Sequence, residues 1–405
     1  MCEIQRMKRK TLSWSTFLLL ALVALSVQGC LGIGGGSNGN QVATRSDGQQ
    51  VSVKQDVFKG KFYLTIGHNL YVLNGNNTSK ELVNTGNIYD PAVSPDGKWV
   101  AFVQKYKQYS NLSMVSTTGG SVRVLLNGSG RFYKNSAGFT HNTYKWYAQP
   151  SWSPDGSTLL FLSDLEKEDW YDQTDPQAPM LDLQVFSIPI NNPHATPRDV
   201  AYATFGDGGN RDVSYRPGHP DQIIYTHYTY DGATRTQQLI QLYMENPNTI
   251  SEHPGVYYPG MPGGGFDPSI GITDGKVATL QPAFSPDGNA IAYIQRDNNS
   301  MSLRIMPVPP AVITQKPNDP GTQKLAVQAY QKQSSVLLNQ LYVQQPVWSP
   351  TGKQLAYITY NGGVFDLWIA NVSLNAATGK YSVQGSPIQV TTGGVDGDSR
   401  PVWTA

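Results

Sequence analysis

The feature that most constrains the fold is a short motif that recurs along the chain. Each copy has Pro, any residue, a bulky apolar residue and Ser, followed by Pro-Asp-Gly or Pro-Thr-Gly and a second apolar run. Four clear copies begin at Pro91, Pro150, Pro282 and Pro346. Two weaker copies occupy 213–216 and 401–404. Self-similarity of this kind predicts an array of like supersecondary units rather than unrelated domains.

Each clear copy reads as a β-hairpin. Pro suits the second position of a type I turn, and Gly takes the left-handed position that closes the hairpin with a bulge. Further short apolar runs follow, as in 99–103 and 159–162. The chain also has 23 Tyr, 40 Gly and 27 Pro but only 15% charged residues, which suits strands and tight turns. Four short antiparallel strands per unit are typical of a β-propeller blade.

The last copy contains only a first strand, whereas 61–66, 68–74 and 80–84 look like second, third and fourth strands that lack a first. Pairing the two ends completes one more blade and removes exposed sheet edges. We therefore predict an all-β, six-bladed propeller over 57–405, closed by pairing of the C-terminal strand with the N-terminal strands.

These repeats also carry a family resemblance. The pattern "PxWSPDGxxIAF", followed by "LYV" or "LWIAN", is similar to the repeat of the TolB-like propellers, which are WD-repeat-like. The resemblance covers about residues 57–405, and no counterpart of the separate N-terminal domain of TolB is seen. It implies a TolB-like propeller in a bacterial lipoprotein.

The N-terminal residues predict export and lipid anchoring. Basic residues precede an apolar run, Phe17 to Leu25, of signal-peptide length. The run ends in "SVQGC", which resembles a lipobox, and in that family the Cys is diacylated. We therefore expect a signal peptide over 1–29, a lipidated Cys30 and a flexible Gly- and Asn-rich tether over 30–56. The alternative is an uncleaved N-terminal anchor.

This organisation sets the expected location and partners. The propeller is expected to be lipid-anchored to the cell membrane, facing the periplasm or the extracellular side. The only cysteine of the chain besides Cys30 is Cys2, which precedes the lipobox, so no intramolecular disulfide is expected. A formal net charge of +1 without a basic tract argues against nucleic acid as a partner. We expect a monomer.

Several long insertions fall at the propeller end opposite the Pro-Asp-Gly turns, and a further one, 307–333, at the turn end. The insertions at the end opposite the Pro-Asp-Gly turns are rich in aromatic residues, which suit recognition of sugars or peptides. The alternative is that the rings only fold the loops onto the rim. The candidate ligand-binding aromatics are Tyr144, Trp146, Trp170, Tyr171, Tyr257 and Tyr258.

A polar residue precedes every copy of the motif. Because innermost strands line the axis of a propeller, these side chains are expected to ring the mouth of the channel. They could orient a ligand or an ion, but we favour hydrogen bonding among themselves and with water. The six residues are Asp90, Gln149, Asp212, Gln281, Gln345 and Arg400.

Catalytic and metal motifs are not found in the sequence. It has no HExxH pair and no G-x-S-x-G elbow. We assign no catalytic residue, metal site or cofactor; Asp207, Asn210 and Asp212 could hold Ca²⁺, but a polar turn is the simpler interpretation.

The predicted function is a binding or scaffold protein that recognises an envelope protein or a cell-wall glycan through the insertion-bearing face. The alternative is a glycan-active lyase or hydrolase that uses carboxylates and tyrosines of that face. A third alternative is an assembly lipoprotein without a small ligand. The candidate carboxylates for an enzyme are Asp169, Asp172, Asp175 and Asp267.

Overall fold

The computed structural model describes most of the chain from residue 39 onwards. The described residues are 39–405 apart from 77, 135, 139, 166–181, 204–205, 231–235, 249–268, 298 and 312–318. Within them the structure is built from antiparallel strands and one helix. No helix of this part is long and apolar enough to cross a bilayer.

Six four-stranded sheets make up most of the described propeller. We number them as blades 1 to 6 in chain order and list the strands of each blade from the innermost to the outermost. Blade 1 comprises β29(Val402–Thr404), β3(Lys61–Ile66), β4(Asn69–Asn74) and β5(Ser79–Val83). Blade 2 comprises β6(Ile88–Val93), β7(Trp99–Lys105), β8(Ser110–Ser116) and β9(Arg123–Leu126). Blade 3 comprises β12(Tyr147–Trp152), β13(Thr158–Ser163), β14(Gln184–Pro189) and β15(Arg198–Ala201). Blade 4 comprises β16(Asn210–Arg216), β17(His219–Tyr230), β18(Gln238–Glu245) and β19(Ile270–Gly271). Blade 5 comprises β20(Ala278–Phe284), β21(Ala290–Asp297), β22(Ser300–Pro307) and β23(Ser335–Gln340). Blade 6 comprises β24(Val343–Trp348), β25(Gln354–Asn361), β26(Val364–Asn375) and β27(Lys380–Gln389).

The prediction of six blades is wrong, because the propeller has seven. The seventh is a three-stranded sheet of β1(Gly39–Thr44), β2(Gln50–Lys54) and β28(Thr391–Thr392). Its apolar residues join one core cluster with residues of blades 1 and 6. This blade contains no copy of the repeated motif, so a count of motifs could not find it.

The seventh blade also corrects the predicted tether over 30–56, which is wrong for residues 39–54. These residues form β1 and β2. In "QVSVK" the alternating Val51 and Val53 are buried, with 0% and 6% of their surface exposed. Period-two alternation is the pattern of a half-buried strand, and here it outweighs the polar, Gly-rich composition of the flanking chain.

The C-terminal strand pairs with β3 in blade 1, as predicted. Val402 is the cross-strand partner of Tyr63, and Trp403 that of Phe62. The Trp403 indole lies 4.5 Å, centroid to centroid, from the Phe62 ring, and its Nε1 donates to the Lys59 carbonyl oxygen at 2.8 Å. The C-terminal strand thus supplies the innermost strand that the N-terminal strands lack.

The repeated turns share one geometry. Gly97, Gly156, Gly288 and Gly352 have φ between 69° and 72°, the left-handed region that favours glycine. The serine that opens each turn caps it through backbone and side chain: Ser94 Oγ, for example, accepts from the Trp99 N–H at 3.0 Å. These turns define one end of the propeller, here called the turn end.

The bulky motif residues hold successive blades together. Trp152 of blade 3 donates from Nε1 to the Ala92 carbonyl of blade 2 at 2.9 Å. Trp348 of blade 6 donates in the same way to the Ala283 carbonyl of blade 5 at 3.1 Å. Both indoles are at least nine-tenths buried. The repeated Trp of blades 3 and 6 thus packs against the preceding blade as well as its own.

Two elements lie outside the blades. A two-stranded ribbon, β10(Phe132–Lys134) and β11(Thr140–Asn142), stands in the connection between blades 2 and 3. The helix α1(Pro320–Gln333) lies in the 307–333 insertion. Its N-cap is Asp319, whose carboxylate accepts from the Thr322 N–H at 2.8 Å. Its buried residues Ala326 and Tyr330 join the cluster between blades 4 and 5.

Candidate functional site

The six polar residues that precede the motif lie at equivalent positions of the innermost strands. Five of them have φ between 46° and 59°, which is uncommon for residues other than glycine: Asp90, Gln149, Asp212, Gln281 and Gln345. The strand register shifts at each of the five positions. Each residue therefore sits in a β-bulge, a device that re-aims a side chain out of the ladder.

Hydrogen bonds link these residues from blade to blade. The Asp212 N–H donates to Gln149 Oε1, and the Gln281 N–H donates to Asp212 Oδ2 at 3.3 Å. The Gln345 N–H continues the series by donating to Gln281 Oε1 at 2.8 Å. The left-handed backbone is thus held by the side chain of the preceding blade.

Arg400 connects opposite parts of this axial ring. Its N–H donates to Asp90 Oδ1 at 3.1 Å, and its Nη2 lies 3.2 Å from Asp212 Oδ1. Burial raises the pKa of Asp90. The hydrogen bond from the Arg400 N–H and the charge of Lys105 partly oppose this rise. The six predicted residues are therefore brought together and bond mainly to one another; a role in orienting a ligand stays a prediction.

An aromatic stack that the sequence did not reveal borders the ring. The Tyr89 ring lies between the His68 ring, at 4.4 Å between centroids, and Lys105 Nζ, at 3.6 Å from its centroid. His68 Nδ1 is 3.5 Å from Asp396 Oδ2, whose carboxylate also accepts from the His68 N–H at 2.7 Å. These residues flank the axis at the end opposite the turn end, here called the insertion-bearing face.

Tyr144, a predicted ligand-binding aromatic, belongs to a line of four rings on this face. Tyr106 and Tyr109, in the β7–β8 turn, have centroids 4.6 Å apart. Tyr109 lies 6.1 Å from Tyr144, which lies 5.3 Å from Phe132 of the ribbon. We call these four residues the tyrosine ridge. The turn pattern around Tyr106 and Tyr109 gave no sign of this role.

Trp146, the next predicted residue, has a different setting. Its ring is half-buried and packs against the cluster between blades 3 and 4, which includes Leu160 and Val185. Its N–H donates to Asp164 Oδ1 at 3.0 Å. This packing fixes the base of the insertion, as expected of a ring that folds a loop onto the rim.

The remaining predicted positions fall on residues that the structure does not describe. They are Cys30, Trp170, Tyr171, Tyr257 and Tyr258, together with the candidate carboxylates Asp169, Asp172, Asp175 and Asp267.

The residues considered for Ca²⁺ are buried and bonded separately. Asp207 Oδ2 accepts from Thr229 Oγ1 at 3.3 Å, and Asn210 Nδ2 donates to the Ala201 carbonyl at 3.1 Å. Asp212 belongs to the axial ring described above. No group of three His, Cys, Asp or Glu side chains suited to a metal ion occurs in the described part of the chain.

Comparisons with known proteins bear on the fold. No protein-family model and no curated protein sequence matches the chain. The crystal structure of TolB from Acinetobacter baumannii is similar over 87% of this chain and 68% of that chain, with 16% identity and a TM-score of 0.52. A putative TolB from Agrobacterium tumefaciens covers 66% of this chain and 76% of its own, with 17% identity and a TM-score of 0.40. An oligogalacturonate lyase in complex with manganese covers 85% and 82%, with 12% identity and a TM-score of 0.44. The likeness to the Acinetobacter baumannii structure shows a shared fold and, at 16% identity, nothing beyond the fold.

Proposed function

We propose that this chain, a TolB-like β-propeller, is an extracytoplasmic binding protein that holds an acidic protein of the cell envelope against its insertion-bearing face. The observation that carries the proposal is the tyrosine ridge. Tyr106 and Phe132 at its ends are 39% and 36% exposed, although large aromatic side chains are costly to leave in water. Exposed tyrosines on a rigid scaffold are typical of the centre of a protein interface.

The arrangement of the rings favours a protein over a sugar at this ridge. The planes of Tyr106 and Tyr109 differ by 17°, and those of Tyr109 and Tyr144 by 15°. Rings stacked in this way cover part of each other's faces and present edges and hydroxyl groups outward. A sugar stacks on an open ring face, whereas a protein surface can pack on edges and hydrogen-bond to the hydroxyls.

Charge around the ridge specifies the kind of partner. The two segments that carry the ridge, 105–110 and 127–146, contain five Lys or Arg residues and no Asp or Glu. Arg131 and Lys134 on the ribbon and Lys107 beside Tyr106 are exposed. An acidic partner surface would complement this field, and its association should weaken as salt rises.

Site-specific photo-crosslinking in membranes of the producing cell tests the proposal. A photoreactive phenylalanine in place of Lys107, beside the ridge, is expected to form an adduct with one envelope protein. The matched control replaces Lys98, which is exposed at the turn end of the same strand β7. No adduct from position 107, or the same adduct from both positions, would exclude binding at this face.

Point variants then measure the contribution of the ridge to affinity for the crosslinked partner. Tyr109→Ala and Tyr144→Ala are each expected to weaken binding by about 30-fold, which corresponds to about 2 kcal/mol for a central aromatic residue. Tyr133→Ala is the control, because Tyr133 is an exposed tyrosine of the same ribbon that stacks on His141 outside the ridge. Equal losses in all three variants would point to a general disturbance of the ribbon.

Lipid anchoring at Cys30 completes the proposal, since two acyl chains are enough to keep a protein on a membrane. Support comes from the apolar run that ends in "SVQGC". The Cys30→Ala chain is expected to leave the membrane fraction or to keep its N-terminal segment, as measured by fractionation and intact mass. Retention of the variant at its unchanged mature mass would show that Cys30 is not the anchor.

A further inference from the structure

A groove between blades 5 and 6 lies apart from the tyrosine ridge of blades 2 and 3. It has a volume of about 370 Å³. Its walls come from the link between β23 and β24, from β25 and from the outer strands of blade 6. The lining residues used below are Tyr342, Tyr357, Tyr360 and Trp368.

Two buried polar groups in this groove have no hydrogen-bond partner. They are the hydroxyl of Tyr357 and the Nε1–H of Trp368, which are cross-strand neighbours on one face of the sheet. Burial raises the pKa of Tyr357, so its hydroxyl stays protonated and able to donate. Leaving such groups unpaired costs about 1–3 kcal/mol each. By contrast, the buried indoles of Trp152 and Trp348 both donate to backbone carbonyls.

The equivalent place in blade 5 is filled by the protein itself. Tyr293 holds the same repeat position as Tyr357, as "IAYI" and "LAYI" show. Tyr330 of α1 lies over it, with ring centroids 5.6 Å apart, and donates to Gln295 Oε1 at 2.8 Å. The ring of Tyr330 thus covers in blade 5 a site that remains an open groove in blade 6, although the Tyr293 hydroxyl, like that of Tyr357, is buried without a hydrogen-bond partner.

The rim of the groove offers aromatic faces without charge. Tyr342 and Tyr360 are 45% and 46% exposed, and their rings meet edge to face at 74°, with centroids 5.8 Å apart. In this arrangement one ring keeps an open face, unlike the parallel rings of the ridge. No Asp, Glu, Lys or Arg side chain lines the groove within the described residues.

We propose that this groove binds the end of a neutral saccharide, one ring of which stacks on the Tyr342–Tyr360 rim while a ring hydroxyl oxygen accepts hydrogen bonds from Tyr357 and Trp368. The unpaired donors call for an oxygen acceptor, the aromatic rim for a flat apolar face, and the uncharged lining for a ligand without charge; a sugar ring combines all three. A volume of this size is at the lower end of the roughly 300–1,000 Å³ of small-molecule sites, which suits one or two sugar rings. This site goes beyond the proposed function and does not depend on it.

Titration calorimetry on the purified full chain tests the proposal, with maltose, cellobiose and N,N′-diacetylchitobiose as probes and digalacturonic acid as the charged comparator. At least one neutral disaccharide is expected to bind saturably and more tightly than the charged one. No saturable binding of any neutral probe up to about 10 mM, well above the concentration range of a site with millimolar affinity, would overturn the proposal. Preference for the charged comparator would overturn it as well.

Matched variants place the binding in the groove. Tyr357→Phe removes only an unpaired hydroxyl, so it is expected to leave the unfolding temperature unchanged or raised and to weaken sugar binding at least fivefold. Tyr360→Ala is expected to weaken binding at least tenfold through the rim. Tyr293→Phe is the control, because it makes the same change at the position that α1 covers, and binding should equal that of the unaltered chain. If Tyr357→Phe and Tyr360→Ala bind as well as the unaltered chain, the sugar does not occupy this groove.

Discussion

At the residue scale, stability depends on single aromatic side chains that act across blade boundaries. Trp348 is 5% exposed and shares a cluster with Ala292 and Ile305 of blade 5. Its indole also satisfies the Ala283 carbonyl, so one side chain supplies both apolar burial and a hydrogen bond between blades. Such a residue cannot be exchanged for a smaller one without a cavity and an unpaired acceptor.

Trp348→Ala is accordingly expected to lower the free energy of unfolding by about 3–5 kcal/mol, the usual cost of deleting a large buried aromatic residue. Trp348→Phe keeps most of the apolar volume and loses the Nε1 donor, so its loss should be clearly smaller. Chemical denaturation monitored by circular dichroism measures both. A loss below about 1 kcal/mol for the alanine variant, a value typical of surface positions, would contradict this packing.

Residue positions were predictable from the sequence where the repeat fixed them and unpredictable where tertiary packing did. The place of Gln281 and its equivalents follows from the motif, but their left-handed backbone does not, since neither Asp nor Gln demands it. Tyr144 was selected from the sequence because it lies in an aromatic insertion, and the structure adds that it stacks with Tyr109. Tyr357 and Trp368 look like ordinary strand residues, and only the groove distinguishes them.

At the element scale, β29 has an importance out of proportion to its three residues. It pairs with β3 and covers Phe62, which is fully buried. Without it, β3 would present an unpaired edge at the axis, where the other blades have their innermost strands. The sequence predicted this pairing because the final motif copy has only a first strand, whereas the N-terminal strands of blade 1 lack a first strand.

Removal of residues 401–405 is therefore expected to abolish the cooperative unfolding transition or to lower its midpoint by more than any single substitution proposed above. The control removes only Ala405, which is exposed, and should unfold like the full chain. Differential scanning calorimetry measures both transitions. A truncated chain that unfolds at the unaltered temperature would show that closure of blade 1 contributes little to stability.

At the scale of the whole molecule, the class of fold was predictable and the number of blades was not. Propeller architecture follows from repetition, which any count of motifs detects. The seventh blade arises from "QVSVK" and from Thr391–Thr392, segments too short and too unlike the motif to be counted. The binding face stays a prediction, since a shared fold does not specify a ligand.

The closure of the ring also determines which blades can be completed only late in folding. Trp403 donates a hydrogen bond to the Lys59 carbonyl oxygen, 344 residues away along the chain. The pairing of β2 with β28 likewise needs residues near the C-terminus. A chain that enters a new compartment N-terminus first therefore cannot complete its first or seventh blade until nearly its last residue has arrived. Contacts of such sequence separation form late and slowly. The strands that begin the propeller therefore stay incomplete until the C-terminal residues are available to pair with them.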